Sequence, residues 1–427
     1  MKWVKIYMAK KVAFLTLGCK TNQYETNGMM QQFLDAGYEI CTIDEEPDVY
    51  VVNTCTVTNI ADRKSRQSLR KVKDKNNTIV VAVGCYAQVA KDTLQNMPEI
   101  DIVLGNKEKK DIVKYVEEYE INKNKIIDVA DINKQRDFDE YGCITYTEKA
   151  RTTIKIQDGC NNFCSYCLIP YARGRVRSRN KENILEEAKK IANEGIKEIV
   201  LTGIHIASYG KDFEEEYRLI DLLEDLNKIE GIERIRLGSL EPTIITEEFV
   251  TRLSKLDKIC NHFHLSLQSG CDETLKRMNR KYTTQEFREV VKRLRDNFED
   301  VNLTTDIIVG FPGETEEEFN TTYEFLKEIK FYKMHIFKYS KRDGTLAAIM
   351  PNQIDGNIAE QRSKKLIELS EKNQKEYEKK YEGKEVEVLF EEKQGEYWVG
   401  HTRNYMLVKY KSNQNLENKI VRNVKKM

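Results

Sequence analysis

No apolar run in the chain approaches the roughly eighteen residues that a membrane-spanning helix needs, so no membrane contact is expected. The opening stretch, MKWVKIYMAKK, has no long apolar core, so no secretory leader is expected, and Met8 stands four residues before the first apolar run at Val12. Charge imbalance is missing too, since 70 Lys and Arg face 70 Asp and Glu. A polyanionic partner would therefore have to meet a local patch rather than a global field. These absences predict a cytoplasmic protein, in which the ten cysteines are ligands or free thiols rather than disulfides. What is present suits a globular core: 427 residues, 40% apolar and 33% charged, enough for two or three domains.

One more absence directs the reading. Gly159 to Arg179 reads GCNNFCSYCLIPYARGRVRSR, with Cys160, Cys164 and Cys167 at C-x3-C-x2-C spacing. No fourth cysteine follows in the loop, and no histidine lies near. Three thiolates can hold three corners of an iron–sulfur cube and leave one iron open to a small molecule. Zinc competes as the metal, but structural zinc sites usually close with a fourth ligand. Further along, Arg173, Arg175, Arg177 and Arg179 alternate strictly. On an extended chain that period places all four on one face, either a phosphate-binding strip or a solvated strand.

Residues 10–140 alternate strand and helix. Val12–Leu17, Val49–Val52 and Ile79–Val83 read as buried strands, followed by helical segments at Tyr24–Ala36, Ala61–Lys73 and Gln88–Asn96. Ile102–Leu104 is a fourth strand, with a helix from about Lys107. The pattern predicts an α/β domain with a small parallel sheet. Cys19, Cys55 and Cys85 each fall two or three residues beyond a strand. Strand C-termini of a parallel sheet share one edge, so three cysteines far apart in sequence should converge on one crevice. Residues 121–146 read as a linker in which IIDVADI adds a strand. Cys41, Cys143, Cys260 and Cys271 have no partner at ligand spacing and read as ordinary thiols.

Residues 146–376 carry six strand–helix units, with strands at Thr153–Gln157, Glu198–Thr202, Arg234–Leu237, His262–Leu267, Asn302–Val309 and Lys333–Tyr339. Helices include Lys181–Asn193, Glu316–Ile329 and Ala359–Lys380. Six units predict a partial (β/α)6 barrel with its site at the strand C-termini. Polar and glycine-rich groups gather at those ends: Thr202, Gly203 and His205; Ser239 and Glu241; His264 and Gln268; Gly310 and Gly313. His264 suits a core histidine as well as a ligand contact. Residues 380–427 shift to short strands at Lys384–Glu392, Tyr397–Tyr405 and Leu407–Lys411, which predict a small β-barrel. From Lys411 on, five basic residues face one acid. Tyr397, Trp398 and Tyr405 suit either base stacking or a core.

The C-x3-C-x2-C loop, with Tyr166 before its last cysteine, resembles the signature of radical S-adenosylmethionine enzymes. LGCKTNQYET, NTCTVT and VGCYAQ resemble the three amino-terminal motifs of methylthiotransferases, and the tail resembles their RNA-binding TRAM domain. The resemblance implies two [4Fe–4S] clusters, one on Cys160, Cys164 and Cys167 and one on Cys19, Cys55 and Cys85. It further implies S-adenosylmethionine at the polar strand ends, with a 5′-deoxyadenosyl radical generated there. It implies a flavodoxin- or ferredoxin-type electron donor, a tRNA anticodon stem-loop as partner, and a monomer. LGCKTNQYET, the cysteine loop and SLEP look most like the branch acting on N6-threonylcarbamoyladenosine at tRNA position 37. Isopentenyladenosine tRNA, a ribosomal-protein aspartate, plain methylation, and a non-catalytic iron–sulfur or zinc RNA-binding protein stay open at this point.

Overall fold

A computed structural model describes residues 9–71, 78–142, 144 and 150–426. Met8, Cys143, the end of the helix expected to reach Lys73, and the domain start expected at 146 lie outside the described residues. The chain forms two compact units. The first holds the described residues of Met1–Thr147 with Gly159–Asn161 and Leu168–Arg175, and the second holds the remainder.

The first unit is a six-stranded parallel sheet. Its strands are β1 (Lys11–Thr16), β2 (Glu39–Cys41), β3 (Val49–Thr54), β4 (Ile79–Gly84), β5 (Ile102–Leu104) and β6 (Ile126–Asp128), in the order β2-β1-β3-β4-β5-β6. β3 and β4 are buried along their whole length. That explains their unbroken apolar runs: Val49 and Val51 pack into one core and Tyr50 and Val52 into the core on the opposite face. The strand expected in IIDVADI is β6. The helix expected over Gln88–Asn96 is instead two short helices, Cys85–Val89 and Lys91–Gln95, broken at Ala90.

The second unit contains the expected partial barrel. β7 (Arg151–Asp158), β9 (Glu198–Gly203) and β10 (Arg234–Leu237) run parallel, with the two-residue antiparallel β8 (Arg177–Ser178) on the free side of β7. β11 (His262–Gln268), β12 (Asn302–Val309) and β13 (Lys333–Lys338) form a second parallel group. Parallel bridges Ile235–Ile259 and Leu240–Leu265 join the groups. The apolar faces of the surrounding helices, among them Lys181–Asn193 and Glu316–Ile329, close one continuous core around these strands.

The tail is a four-stranded antiparallel sheet of β14 (Glu385–Gln394), β15 (Tyr397–Thr402), β16 (Leu407–Lys411) and β17 (Lys419–Lys425), ordered β16-β15-β14-β17. The basic tail is thus itself a strand. Trp398 is only 7% exposed and packs with Val388, Phe390 and Val408, so of its two expected roles it takes the core one. Tyr405 takes the packing role as well. It lies at the N-terminal strand ends of the barrel, stacked between His262 and His401 at 4.8 and 4.5 Å. Arg151 and Arg236 cover its ring at 5.1 and 4.7 Å. Tyr397, 39% exposed, keeps an open face.

Around Tyr405 the barrel floor is ionic. Buried Glu198 accepts from Arg236 at 2.7 Å and lies 3.7 Å from Arg234. Arg234 reaches Glu387 at 2.9 Å and the His401 carbonyl at 3.0 Å, while Asn302 donates to the Asn404 carbonyl at 2.7 Å. The tail sheet is therefore anchored to the floor by charge and aromatic stacking. Burial opposes the Glu198 charge, but Arg236, Arg151 and Arg234 outweigh it and hold the carboxyl at about 2.

Candidate functional site

In the first unit, Cys19 caps helix Lys20–Asp35 just beyond β1, Cys55 follows β3, and Cys85 opens the helix after β4. The polar neighbours in the three motifs lash these strand ends together. Asn22 donates to the Leu17 and Thr54 carbonyls at 2.7 and 3.1 Å, and Asn53 donates to the Asn22 carbonyl at 2.9 Å. Thr54 donates to the Val83 carbonyl at 2.6 Å. Gly18 adopts φ 104°, and a Cβ there would lie 2.8 Å from the Cys55 sulfur, so only glycine lets the first motif close on the second. Cys19 is exposed while Cys55 and Cys85 are buried. Burial pushes the Cys55 thiol up to about 11, and the charges that Cys85 and Cys19 would carry push the same way. A buried thiol that resists ionising on its own suits a cationic metal core that would draw off its proton.

Among the described residues no three His, Cys, Asp or Glu side chains close around one ion. A cube binds each thiolate to a different iron and asks for wider spacing than a single ion does.

Cys160, Cys164 and Cys167 occupy the loop after β7, and all three are half-buried. Gly159 precedes them at φ 71°, and a Cβ there would overlap the Arg175 carbonyl. In the second unit, Phe163 is left-handed at φ 48° and is held there by Asn279, which donates to its carbonyl at 2.9 Å. The Ser165 amide donates to the Met278 carbonyl at 3.1 Å, and Tyr166 packs edge-on to Phe311. Arg280 aims an N–H at the Cys164 sulfur at 3.2 Å. A guanidinium on a half-buried sulfur fits a thiolate ligand and not an inert core thiol.

Beside Cys164 lies a polar group at the strand ends. Glu241 accepts from Asn162 at 3.1 Å, meets His205 Nε2 at 2.8 Å, and lies 3.3 Å from Arg280. Burial opposes its charge, but His205, Arg280 and Asn162 together hold it ionised, at about 2. The His205 amide donates to Gln157 Oε1 at 2.7 Å, and Gly203 lets the turn lie against the Gln157 carbonyl. Thr202 is buried at the end of β9, while Ser239 is exposed after β10. His264 sits lower in the barrel between Thr304 at 2.9 Å and Asp306 at 3.1 Å. Gln268 ends β11 at φ 69°. Gly310 and Gly313 are turn positions at φ 71° and 78°. The Gly310 amide is taken by Glu314 at 2.7 Å, and its Cα faces Ala359, so its small size serves helix packing.

The four-arginine strip is not found. Arg173, Arg177 and Arg179 are 0, 1 and 2% exposed, and Arg175 alone is exposed. The segment is not extended: Ile169–Arg173 is helical, Gly174 turns at φ 71°, and β8 covers only two residues. Each buried guanidinium meets an acid: Arg173 meets Glu25, Arg177 meets Asp158, and Arg179 meets Glu187. Sequence reasoning also missed Asn162 and Arg280. Asn162 was signalled by its place inside the cysteine loop; Arg280 sits in a charged turn that gives no local signal.

Residues 154–326 match the Radical SAM superfamily, and residues 11–105 match an uncharacterized protein family, UPF0004. The chain is 43% identical to the threonylcarbamoyladenosine tRNA methylthiotransferase MtaB of Bacillus subtilis (strain 168), over 96% of this chain and 92% of that one. It is 44% identical to the protein of that name from Aquifex aeolicus (strain VF5), over 89% and 92%. A tRNA-2-methylthio-N(6)-dimethylallyladenosine synthase of Alkaliphilus oremlandii (strain OhILAs) is 37% identical over 96% and 89%. Among solved structures, the radical S-adenosylmethionine methyltransferase TsrM of Kitasatospora setae aligns with a TM-score of 0.60 at 13% identity, covering 80% of this chain and 77% of that one, a likeness of fold alone. On its two three-cysteine motifs, its partial barrel and these relatives, the chain belongs to the methylthiotransferase family of radical S-adenosylmethionine enzymes.

Proposed function

We propose that the chain converts N6-threonylcarbamoyladenosine at tRNA position 37 to its 2-methylthio derivative; two of its relatives are named threonylcarbamoyladenosine tRNA methylthiotransferases. The observation that carries the reading is the gathering of Cys19, Cys55 and Cys85 at one edge of a parallel sheet, in a chain that also bears the radical loop. A plain radical methylase has no use for that second set.

Membership of the radical family implies S-adenosylmethionine and one [4Fe–4S] cluster. Cys160, Cys164 and Cys167 would hold that cluster, which when bound supplies the electron that cleaves S-adenosylmethionine to a 5′-deoxyadenosyl radical. Cys19, Cys55 and Cys85 would hold a second cluster, the carrier of the sulfur. The chain's own groups do the rest. Arg280 and Glu241 present opposite charges beside Cys164, which suits the carboxylate and ammonium ends of an amino acid. Asn162 and His205 keep the Glu241 carboxylate fixed and ionised. The target C–H bond is too weakly acidic for an acid–base pair, which is why a radical route is needed. Exposed basic side chains, among them Lys419 and Lys425 of the tail, would meet RNA phosphates. A flavodoxin- or ferredoxin-type protein would deliver the electrons, and the enzyme would act as a cytoplasmic monomer. No helix among the described residues is long and apolar enough to cross a membrane.

The test is expression in a bacterium stripped of its own methylthiotransferases, followed by mass spectrometry of tRNA nucleosides. A new 2-methylthio-threonylcarbamoyladenosine peak is expected. A methylthio-isopentenyladenosine peak would keep the chemistry and overturn the substrate, in line with the 37% identical relative.

A further inference from the structure

Arg173 is the least expected residue of the first unit. It lies six residues beyond Cys167, at the end of the helix Ile169–Arg173 that continues the radical loop, and this short segment belongs to the first unit. Its side chain is fully buried. The Nε–H donates to the Cys85 sulfur at 3.1 Å. The far edge of the guanidinium is fixed: Nη2 donates to Glu25 Oε2 at 2.9 Å and to Asn22 Oδ1 at 2.6 Å. Glu25 is held in turn by Lys109, and Lys109 also donates to Asn106 Oδ1 at 2.6 Å. Asn106 closes the frame by donating to the Ala172 carbonyl at 2.7 Å. Every element of the frame serves to fix one direction, that of the Nε–H toward sulfur.

We propose that Arg173 sets the reduction potential of the second cluster by a charge-assisted N–H···S bond to its ligand Cys85. The inference rests on the reading of Cys19, Cys55 and Cys85 as cluster ligands. Hydrogen bonds and positive charge at a ligand sulfur stabilise the electron-rich, reduced form of a cluster and raise its potential. A buried guanidinium does this more strongly than an exposed one, because water does not screen it. Arg173 is a positioning and tuning residue and touches no reacting atom. Because the same short helix prolongs the radical loop, the loop that carries one cysteine set also delivers the group that tunes the other.

The test is an anaerobic redox titration, followed by electron paramagnetic resonance, of the full chain with Cys160, Cys164 and Cys167 changed to Ala. That background isolates the second cluster. Arg173→Gln should move its midpoint to more negative potential, and Arg173→Lys, which keeps the charge but not the fixed Nε–H, should move it less in the same direction. With Cys19, Cys55 and Cys85 changed to Ala instead, the radical cluster's midpoint should not respond to either substitution. If the Gln variant fails to hold a cluster, the Lys variant decides alone. Bound iron with an unmoved midpoint in the Lys and Gln variants overturns the role of Arg173 and leaves the cluster reading standing. No iron in the first background, before Arg173 is touched, overturns the cluster reading and the proposal with it.

Discussion

Gly159 has no side chain, and the Arg175 carbonyl occupies the place where one would go. A left-handed φ of 71° adds about 1–2 kcal/mol for any L-residue. Gly159→Ala is therefore expected to displace Cys160 and empty the radical loop. Iron per chain, measured after reconstitution, should fall from about eight toward about four, with the N-terminal cysteines still loaded. An unchanged content would mean that the loop has a second way to close. Glu241 makes a separate prediction. Its carboxylate is shared by His205, Asn162 and Arg280, and Glu241→Gln removes the charge without changing the shape. S-adenosylmethionine affinity, measured by equilibrium binding, should drop roughly tenfold or more, with both clusters intact by absorbance. Undiminished affinity would remove Glu241 from the ligand site.

At the scale of elements, the barrel floor yields a pH dependence. Glu198 ionises at about 2 in the folded chain, against the usual 4.5. A depressed acid contributes its full stability above 4.5 and loses it as pH falls from 4.5 toward 2. Glu198→Gln should cost about 3 kcal/mol at neutral pH, because Arg236 and Arg234 lose their partner inside the protein. Urea unfolding at pH about 7 and about 3 should find the wild type losing more than the variant does; equal losses would show that the floor is not held by this charge. The strands themselves are legible in the amino-acid pattern. The strands expected at Arg234–Leu237 and Asn302–Val309 coincide with β10 and β12, as do the helices Lys181–Asn193 and Glu316–Ile329. Their patterns are local, and burial only confirms what the period already shows. β2 was missed because Glu39-Ile40-Cys41 is short and carries an acid, where the equally short β5 is wholly apolar. The arginine strip failed for a different reason: its partners are not local, Glu25 lying far upstream of Arg173, and a buried ion pair leaves no trace in the spacing of either member. The cysteines at the strand ends were legible because a parallel sheet converts sequence position into a shared edge.

For the whole molecule, the tail sheet is the part whose role the structure narrows most. Its aromatics suited either RNA stacking or a core, and Tyr405 fills the barrel floor between His262, His401, Arg151 and Arg236. Tyr405→Ala should destabilise the second unit by about 3–5 kcal/mol and expose the N-terminal ends of β10 and β11 to amide exchange. An effect confined to β14–β17 would show the floor to be self-supporting. The division of labour between two cysteine sets is the central claim, and one comparison tests it most directly. Purified, reconstituted Cys19→Ala and Cys160→Ala chains are given S-adenosylmethionine, reductant and threonylcarbamoyladenosine-containing tRNA, and 5′-deoxyadenosine and methylthio nucleoside are measured together. Loss of both products is expected for Cys160→Ala, and loss of the methylthio nucleoside alone for Cys19→Ala. Methylthiolation surviving in the Cys19 variant would contradict the account.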